Sequence, residues 1–236
     1  MNVKMIGHST LFVEAGGSRI VVDPFFAPSV MSISKRVAPL GMAMDRAASE
    51  CDLVMVTHNH PDHCDPAFFD MLADDVPVFV PSGFKFMGGY SARQSLVELE
   101  PWDTRAHGEI IVTCTPAVHP GDCCGYVVET EGRRLYLAGD TNLAPFFVEI
   151  GKRLQPDAAA LPLKNFRLGP GMTKDNIGSA VEALGVCKVI GIHVHLVMSV
   201  WPLALPDTKP GISRAMREQH PEVEFLVPMP GESIAI

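Results

Sequence analysis

Three histidines and an aspartate lie within six consecutive residues and could bind metal ions. His58, His60, Asp62 and His63 follow the apolar run 52–57, which predicts a buried strand. Alternate residues of an extended backbone point to the same side, so His58 and His60 can share one ion, while Asp62 and His63 can reach a second. Imidazole and carboxylate suit Zn²⁺ and also Fe or Mn. The stretch therefore predicts a metal site, against the alternative of a polar loop that is rich in histidine by chance.

The pattern H-x-H-x-D-H resembles the signature of the metallo-β-lactamase fold superfamily. The resemblance implies three more ligands in the order histidine, aspartate, histidine, and each is present at the end of an apolar run: His119, Asp140 and His193. Asp140 lies in a Gly-Asp-Thr element like that of the family. By resemblance, one ion is held by His58, His60 and His119, a second by Asp62, His63 and His193, and Asp140 bridges the two.

The implied cofactors are two divalent metal ions, with zinc favoured and manganese or iron also compatible with the ligands. Two cations about 3.5–4 Å apart can share a solvent-derived ligand and lower its pKa toward neutrality. The bridging hydroxide would attack an ester-like bond of a lactone or phosphoester, with Asp62 as ligand and proton acceptor. The opening G-H-S-T and I-V-V-D-P elements resemble the branch that contains the ascorbate-6-phosphate lactonases and many uncharacterised metal-dependent hydrolases.

Two further histidines are candidates for contact with the substrate. His8 lies in the G-H-S-T element, where it would contact the substrate or a ligand, or serve as a buried core histidine. His195 lies two residues beyond His193 and is a rival for the last ligand position. The resemblance favours His193, which leaves His195 to contact the substrate or another ligand.

Two cationic residues could recognise an anionic substrate. Lys164 and Arg167 follow the apolar run 158–163, which we expect to end near the metal site. Together they could receive a phosphate or carboxylate, and the alternative is a solvated surface loop. The lactonase branch commonly has a small, glycine-rich segment here, so this departure leaves the substrate open.

The order of predicted elements is strand-rich, helical, strand-rich, helical. Two such halves fit an α/β (α+β) fold, a four-layer αβ/βα sandwich like that of the metallo-β-lactamases, formed by residues 1–236 as a single domain. Gly16-Gly17 predicts a hairpin turn, and Thr173 predicts the N-cap of a helix over 173–184. Residues 27–50 have no strand pattern and predict a loop-helix insertion that either covers the site as a lid or caps the core.

Composition restricts the class of function. The chain has 236 residues, with 19 basic and 27 acidic residues for a net charge of −8, which argues against nucleic acid as a partner. Six cysteines without a visible secretion signal indicate reduced thiols in a cytoplasmic protein. No apolar run reaches transmembrane length. A small-molecule substrate is expected, and the possibility of a homo-oligomer stays open.

Three other functions remain to be weighed against a hydrolase of small metabolites. A phosphodiesterase acting on a phospholipid headgroup or nucleic acid would use the same ligands, and the acidic charge counts only against nucleic acid. Oxygen or redox chemistry at iron, as in the flavodiiron relatives, would require a flavin-binding module that this length does not supply. A non-catalytic metal-binding protein is disfavoured by the intact ligand set.

Overall fold

The computed structural model describes residues 1–30, 34–164, 171–198 and 208–236. The strands are β1 (Asn2–Gly7), β2 (Thr10–Ala15), β3 (Ser18–Val22), β4 (Ser29–Val30), β5 (Ser34–Arg36), β6 (Leu53–Met55), β7 (Val78–Pro81), β8 (Leu96–Leu99), β9 (Thr104–His107), β10 (Ile110–Pro116), β11 (Cys124–Thr130), β12 (Arg133–Leu137), β13 (Ala158–Pro162), β14 (Lys188–Ile192), β15 (Leu196–Met198), β16 (Glu224–Leu226) and β17 (Ser233–Ala235). The helices are α1 (Met44–Glu50), α2 (Pro66–Met71), α3 (Phe146–Leu154), α4 (Ile177–Leu184) and α5 (Thr208–Gln219).

Two seven-stranded sheets form the centre of the molecule. Their strand orders are β17-β1-β2-β3-β6-β7-β8 and β16-β14-β13-β12-β11-β10-β9. The central strands of both sheets are buried on both faces, because successive apolar side chains point to opposite sides. In β6, Leu53 and Met55 join the cluster between the sheets, while Val54 joins a second cluster under α1 and α2. In β12, Leu135 faces the first cluster and Tyr136 packs toward α3, α4 and α5.

The resulting layers are helices, sheet, sheet, helices. This confirms the predicted αβ/βα sandwich. The turn at Gly16-Gly17 is also confirmed: Ala15 pairs with Ser18, and both glycines have positive φ, as a two-residue hairpin turn requires. All six cysteines are free, and none of the helices in the described ranges is long and apolar enough to cross a membrane.

The prediction that residues 27–50 contain no strand was wrong. β4 and β5 pair with each other, and β5 pairs with β15 to form a third, three-stranded sheet. Helix α1 follows within the same insertion. These strands could not be predicted because Ser34-Lys35-Arg36 has no apolar alternation and its partner, β15, lies far along the chain. The insertion is thereby joined to the segment that follows His193.

The helix predicted over 173–184 begins later than expected. α4 starts at Ile177, and Asn176 occupies the N-cap position without a side-chain cap. The backbone N–H of Thr173 donates to Asn176 Oδ1, and Thr173 Oγ1 accepts from the N–H of Asp175. These local bonds form a turn that competes with helix, so Thr173 precedes the helix rather than capping it.

Candidate metal centre

Every residue of the candidate site follows the carboxyl end of a strand. Within the first sheet, β1, β3 and β6 point the same way, and within the second sheet so do β10, β12 and β14. The side chains that follow these six strands are His8, Asp23, the group His58 to His63, His119, Asp140 and His193. Both sheets therefore present polar side chains at one shared edge, where the apolar strands end.

One set of donor atoms is formed by His58, His60 and His119. One nitrogen from each imidazole lies within 4.8 Å of the others, and His119 Nε2 is 2.9 Å from His60 Nδ1. Burial lowers the pKa of His119 to about 4 and holds the pKa of His58 well below its usual value. Neutral imidazoles keep a lone pair, which is the form that binds a metal.

A second set lies beside the first and contains carboxylates. Asp62, His63 and His193, together with His8, place one donor atom each within 4.8 Å of the others. His193 Nε2 is 3.5 Å from Asp62 Oδ2 and 3.2 Å from Asp140 Oδ2. His63 Nε2 is 3.4 Å from Asp140 Oδ1. Asp140 also groups with His58, so its carboxylate lies where the two sets meet.

Hydrogen bonds on the outer side determine which nitrogens face inward. Thr57 Oγ1 lies 2.8 Å from Asp23 Oδ2 and 3.0 Å from His58 Nδ1. Because the hydroxyl has one proton, it donates to the carboxylate and accepts from His58 Nδ1–H. His63 Nδ1 donates to Asp23 Oδ2 across 2.8 Å. His58 and His63 therefore both present Nε2 to the centre.

Burial and opposite charges act against each other within the second set. Burial alone would raise the pKa of Asp62, but hydrogen bonds from His193 and His8 hold it well below its usual range. Burial would lower the pKa of His63, but Asp140 and Asp23 raise it well above its usual value. The pKa of His193 is raised against burial by Asp140 and Asp62. Burial would raise the pKa of Asp140, but His193 and His63 hold it well below its usual range. Asp62 and Asp140 are therefore ionised at neutral pH, as metal binding requires.

The donor set fits divalent cations. Among the described residues, His58 Nε2, His63 Nε2 and Asp140 Oδ1 are buried and make no hydrogen bond, although His63 Nε2 and Asp140 Oδ1 lie 3.4 Å apart as an ion pair. A buried polar atom without a hydrogen bond costs stability, and these three atoms converge in a strongly electron-donating cluster. Imidazole nitrogens and carboxylate oxygens in this mixture suit zinc, iron and manganese.

Comparisons with known proteins agree with this geometry. The sequence pattern of the family described as "Beta-lactamase superfamily domain" matches residues 18–194. The chain belongs to this superfamily. A protein of Pelotomaculum thermopropionicum, named UPF0173 metal-dependent hydrolase, is 29% identical over 252 residues that cover 100% of both chains. The prediction of a metal-dependent hydrolase of this superfamily is thereby confirmed.

Solved structures with the metallo-β-lactamase fold resemble the whole chain. A possible metal-dependent hydrolase from Veillonella parvula has a TM-score of 0.80 at 19% identity, covering 100% of this chain and 99% of the other. Isothiocyanate hydrolase from Delia radicum gut bacteria has a TM-score of 0.77 at 20% identity, with 100% and 99% covered. At such low identity, these two likenesses concern the fold, which is the one that the sequence predicts.

All seven side chains named as ligands from the sequence come together in this cluster. His193, and not His195, contributes a nitrogen to the cluster. His195 is buried behind it, and its Nδ1 accepts a hydrogen bond from the backbone N–H of His8 across 3.0 Å. His8 is fully buried, with Nε2 3.3 Å from Asp62 Oδ2, and burial lowers its pKa to about 3.

The structure describes one of the two predicted cationic residues, Lys164. Lys164 is half-buried and follows β13, which is parallel to β12 and β14 and so ends at the same edge of the sheet. Arg167 lies outside the described residues.

Sequence reasoning missed Asp23. This aspartate is buried and has a φ of 47°, and it also accepts a hydrogen bond from the backbone N–H of Thr57 across 2.7 Å. It follows an apolar strand, as Asp140 and His193 do, so position was the available signal. Three non-glycine residues of the site, His8, Asp23 and His193, have positive φ. Such strain persists where surrounding contacts impose it, and it is concentrated at functional sites.

Proposed function

We propose that the protein is a dinuclear metal-dependent hydrolase that cleaves an ester-like bond of a small, anionic substrate. The observation that carries the proposal is the convergence of imidazole and carboxylate donor atoms from two adjacent donor sets, with Asp140 between them. One ion would be held by His58, His60 and His119, and the other by Asp62, His63 and His193. Two cations bound there would supply Lewis acidity and an activated water for hydrolysis.

Asp62 is proposed as both a ligand and the group that orients the attacking water. Its Oδ2 accepts from His8 Nε2 at 3.3 Å and lies 3.5 Å from His193 Nε2. These contacts hold the pKa of Asp62 low, so the carboxylate accepts a hydrogen bond from water. The same low pKa makes it a weak base, which favours orientation of the water over removal of its proton.

Lys164 supports the anionic character of the proposed substrate. It follows a strand that ends at the site edge, and an ammonium group there would attract a phosphate or carboxylate. We expect Lys164→Ala to raise the KM of an anionic substrate and to leave the KM of a neutral ester unchanged. Arg167→Ala tests the neighbouring prediction in the same way. Unchanged KM values for the anionic substrate in both variants would refute an anion pocket formed by these residues.

Metal content tests the dinuclear centre directly. Elemental analysis of protein purified without chelator should give close to two equivalents, and Asp140→Ala should lose about one or more. Asp122→Ala is the matched control, because Asp122 is an exposed aspartate in the loop that precedes β11. One equivalent or fewer in the wild type, unchanged by Asp140→Ala, would refute the dinuclear site and leave a single-metal or non-catalytic protein.

Activity measurements then separate the candidate substrates. The metal-loaded protein would be assayed on lactones, on soluble phosphodiesters and on phospholipid vesicles. Turnover of lactones alone supports the leading proposal. Turnover of phosphodiesters or phospholipids would support the phosphodiesterase alternative, and two tightly bound ions with no turnover of any ester would favour the non-catalytic one.

A further inference from the structure

The loop that carries His8 is held from both sides by the segment that contains His193 and His195. The backbone N–H of His193 donates to the carbonyl oxygen of His8 across 3.0 Å. In the other direction, the backbone N–H of His8 donates to His195 Nδ1, also across 3.0 Å. Both His8 and His195 are buried, with exposed fractions of 0% and 2%. The backbone of His8 is therefore held at its carbonyl by His193 and at its N–H by the imidazole of His195.

This clamp holds His8 in an uncommon backbone conformation. Its φ is 59°, in the left-handed region that residues with a Cβ seldom adopt. Such a conformation persists only when neighbouring contacts impose it. The backbone conformation sets the direction of the side chain, and here it places His8 Nε2 3.3 Å from Asp62 Oδ2.

The direction of each hydrogen bond fixes the tautomers of both rings. A backbone N–H can only donate, so His195 Nδ1 must carry a lone pair. Asp62 is ionised and can only accept, so His8 Nε2 must carry a proton. His8 therefore donates both bonds, one from Nε2–H to the carboxylate of Asp62 and one from its backbone N–H to His195 Nδ1.

His8 differs from His58 and His63, two of the histidines that we propose as ligands. His58 and His63 have an acceptor on the nitrogen that faces away from the centre, at Thr57 and Asp23, which is the usual arrangement for a metal-bound imidazole. His8 Nδ1 is buried and has no hydrogen-bond partner among the described residues. Its other nitrogen, Nε2, lies 3.3 Å from Asp62 Oδ2 and carries the proton, so His8 fits a donor to Asp62 better than a ligand.

We propose that His195 is a positioning residue that acts through His8 to fix the carboxylate of Asp62 for the second metal ion. The inference rests on the proposed function, since Asp62 must be a ligand of that ion. Without the acceptor at His195, the backbone of His8 loses one of the two hydrogen bonds that hold it. The Nε2–H of His8 is then no longer held against Asp62.

The test compares side chains that keep or remove one hydrogen-bonding atom. His195→Asn places an oxygen acceptor near the position of Nδ1, whereas His195→Leu has none. His8→Gln places an N–H donor near the position of Nε2, whereas His8→Leu has none. Each variant would be loaded with Co²⁺, and the affinity for each equivalent would be measured by chelator competition, together with the visible absorption spectrum.

We expect both leucine variants to bind the second equivalent of Co²⁺ at least about tenfold more weakly. This value is the lower end of the loss in metal affinity that follows removal of a residue that orients a ligand. Their cobalt spectra should change, while the first equivalent should be bound as in the wild type. Asn at 195 and Gln at 8 should restore most of the affinity and the wild-type spectrum. The double variant His8→Leu/His195→Leu should bind no more weakly than His8→Leu, because both substitutions break the same chain of contacts.

Two results would overturn the inference: wild-type cobalt affinity in His195→Leu, or equal losses in His195→Asn and His195→Leu. If His195→Leu does not fold, His195→Gln replaces it, because its acceptor lies farther from the backbone, near the position of Nε2. The Gln variant should then bind the second equivalent as weakly as expected for leucine, and wild-type affinity would refute the role. Failure of the proposed function is distinguishable, since the wild type itself would then bind no second equivalent.

Discussion

His63 donates from Nδ1 to Asp23 Oδ2 across 2.8 Å, although 40 positions separate the two residues in the chain. Asp23 also receives the backbone N–H and the hydroxyl of Thr57, the residue before His58. One carboxylate from the first half of the chain therefore orients an imidazole in each of the two donor sets, directly for His63 and through Thr57 for His58. The two proposed metal positions share a single outer support.

Replacement of Asp23 should weaken both metal positions. In Asp23→Asn, the charge that orients His63 is lost, and the amide cannot accept all three donors. We expect metal affinity to fall by about 10–100-fold, measured by competition with a chromophoric chelator. Asp52→Asn is the matched control, because Asp52 is a partly exposed aspartate paired with Arg19. Equal affinity in the two variants would show that Asp23 does not support the metal centre.

Gly139 is required where the Gly-Asp-Thr turn approaches Thr57. Its φ is 59°, and a Cβ there would lie 2.7 Å from Thr57 Cβ. Gly132 has a similar φ of 73° with nothing within 4 Å. We expect Gly132→Ala to cost about 1–2 kcal/mol of unfolding free energy from backbone strain alone. Gly139→Ala should cost about 1–3 kcal/mol more because of overpacking, as measured by denaturant unfolding. Equal losses of unfolding free energy in the two variants would mean that Thr57 can move away from the added Cβ without cost.

The proposed ligands could be selected from the sequence because the family pattern implies their order and each follows an apolar strand. A run of buried strand residues specifies where the polar edge begins, so His119, Asp140 and His193 are marked by position as well as by type. Asp23 occupies the same kind of position. It was missed because a single aspartate before a proline is common in loops, and its partners His63 and Thr57 are apparent only once β3 and β6 pair.

Contacts between segments that are remote in the chain could not be predicted from the sequence. β5 and β15 are three residues each and carry no joint pattern, yet their pairing connects the insertion to the segment after His193. The bond from the peptide of His8 to His195 joins residues 187 positions apart. Neither contact leaves a local trace, because hydrogen bonds made by a backbone N–H place no demand on the side chain of the residue that donates.

The metal-free protein should be most stable near neutral pH. Burial lowers the pKa of His8 to about 3 and of His119 to about 4. Below pH 6.5 these groups take up protons in the unfolded chain but not in the folded one, so stability falls as pH falls. The pKa values of His63 and His193 are raised by Asp140. Their contribution is complete below pH 6.5 and is lost as pH rises through their raised folded-state pKa values.

Denaturant unfolding of chelator-treated protein at about pH 5, 6.5 and 8.5 checks this profile. The free energy of unfolding should be highest at the middle value. With zinc added, the loss on the alkaline side should disappear, because metal-bound His63 and His193 hold no proton that could be released. A stability that changes in one direction only across the three values would contradict the opposed shifts of the two groups of histidines.

Removal of the bound metal ions should lower the free energy of unfolding by more than metal loss from a flexible surface site would. His58 Nε2 is buried without a hydrogen-bond partner among the described residues, and His63 Nε2 and Asp140 Oδ1 offset each other's burial only through an ion-pair contact at 3.4 Å, so the metal-free state keeps part of the desolvation cost. A metal that binds only the folded chain stabilises it by about 2.7 kcal/mol when its free concentration is 100 times Kd.

Chelation should therefore lower Tm, and added zinc should restore it. Asp140→Asn should recover only part of the shift, because one set of ligands remains, whereas Asp122→Asn should recover all of it. A Tm unaffected by chelation in protein shown to have lost its metal would mean that water already satisfies these atoms.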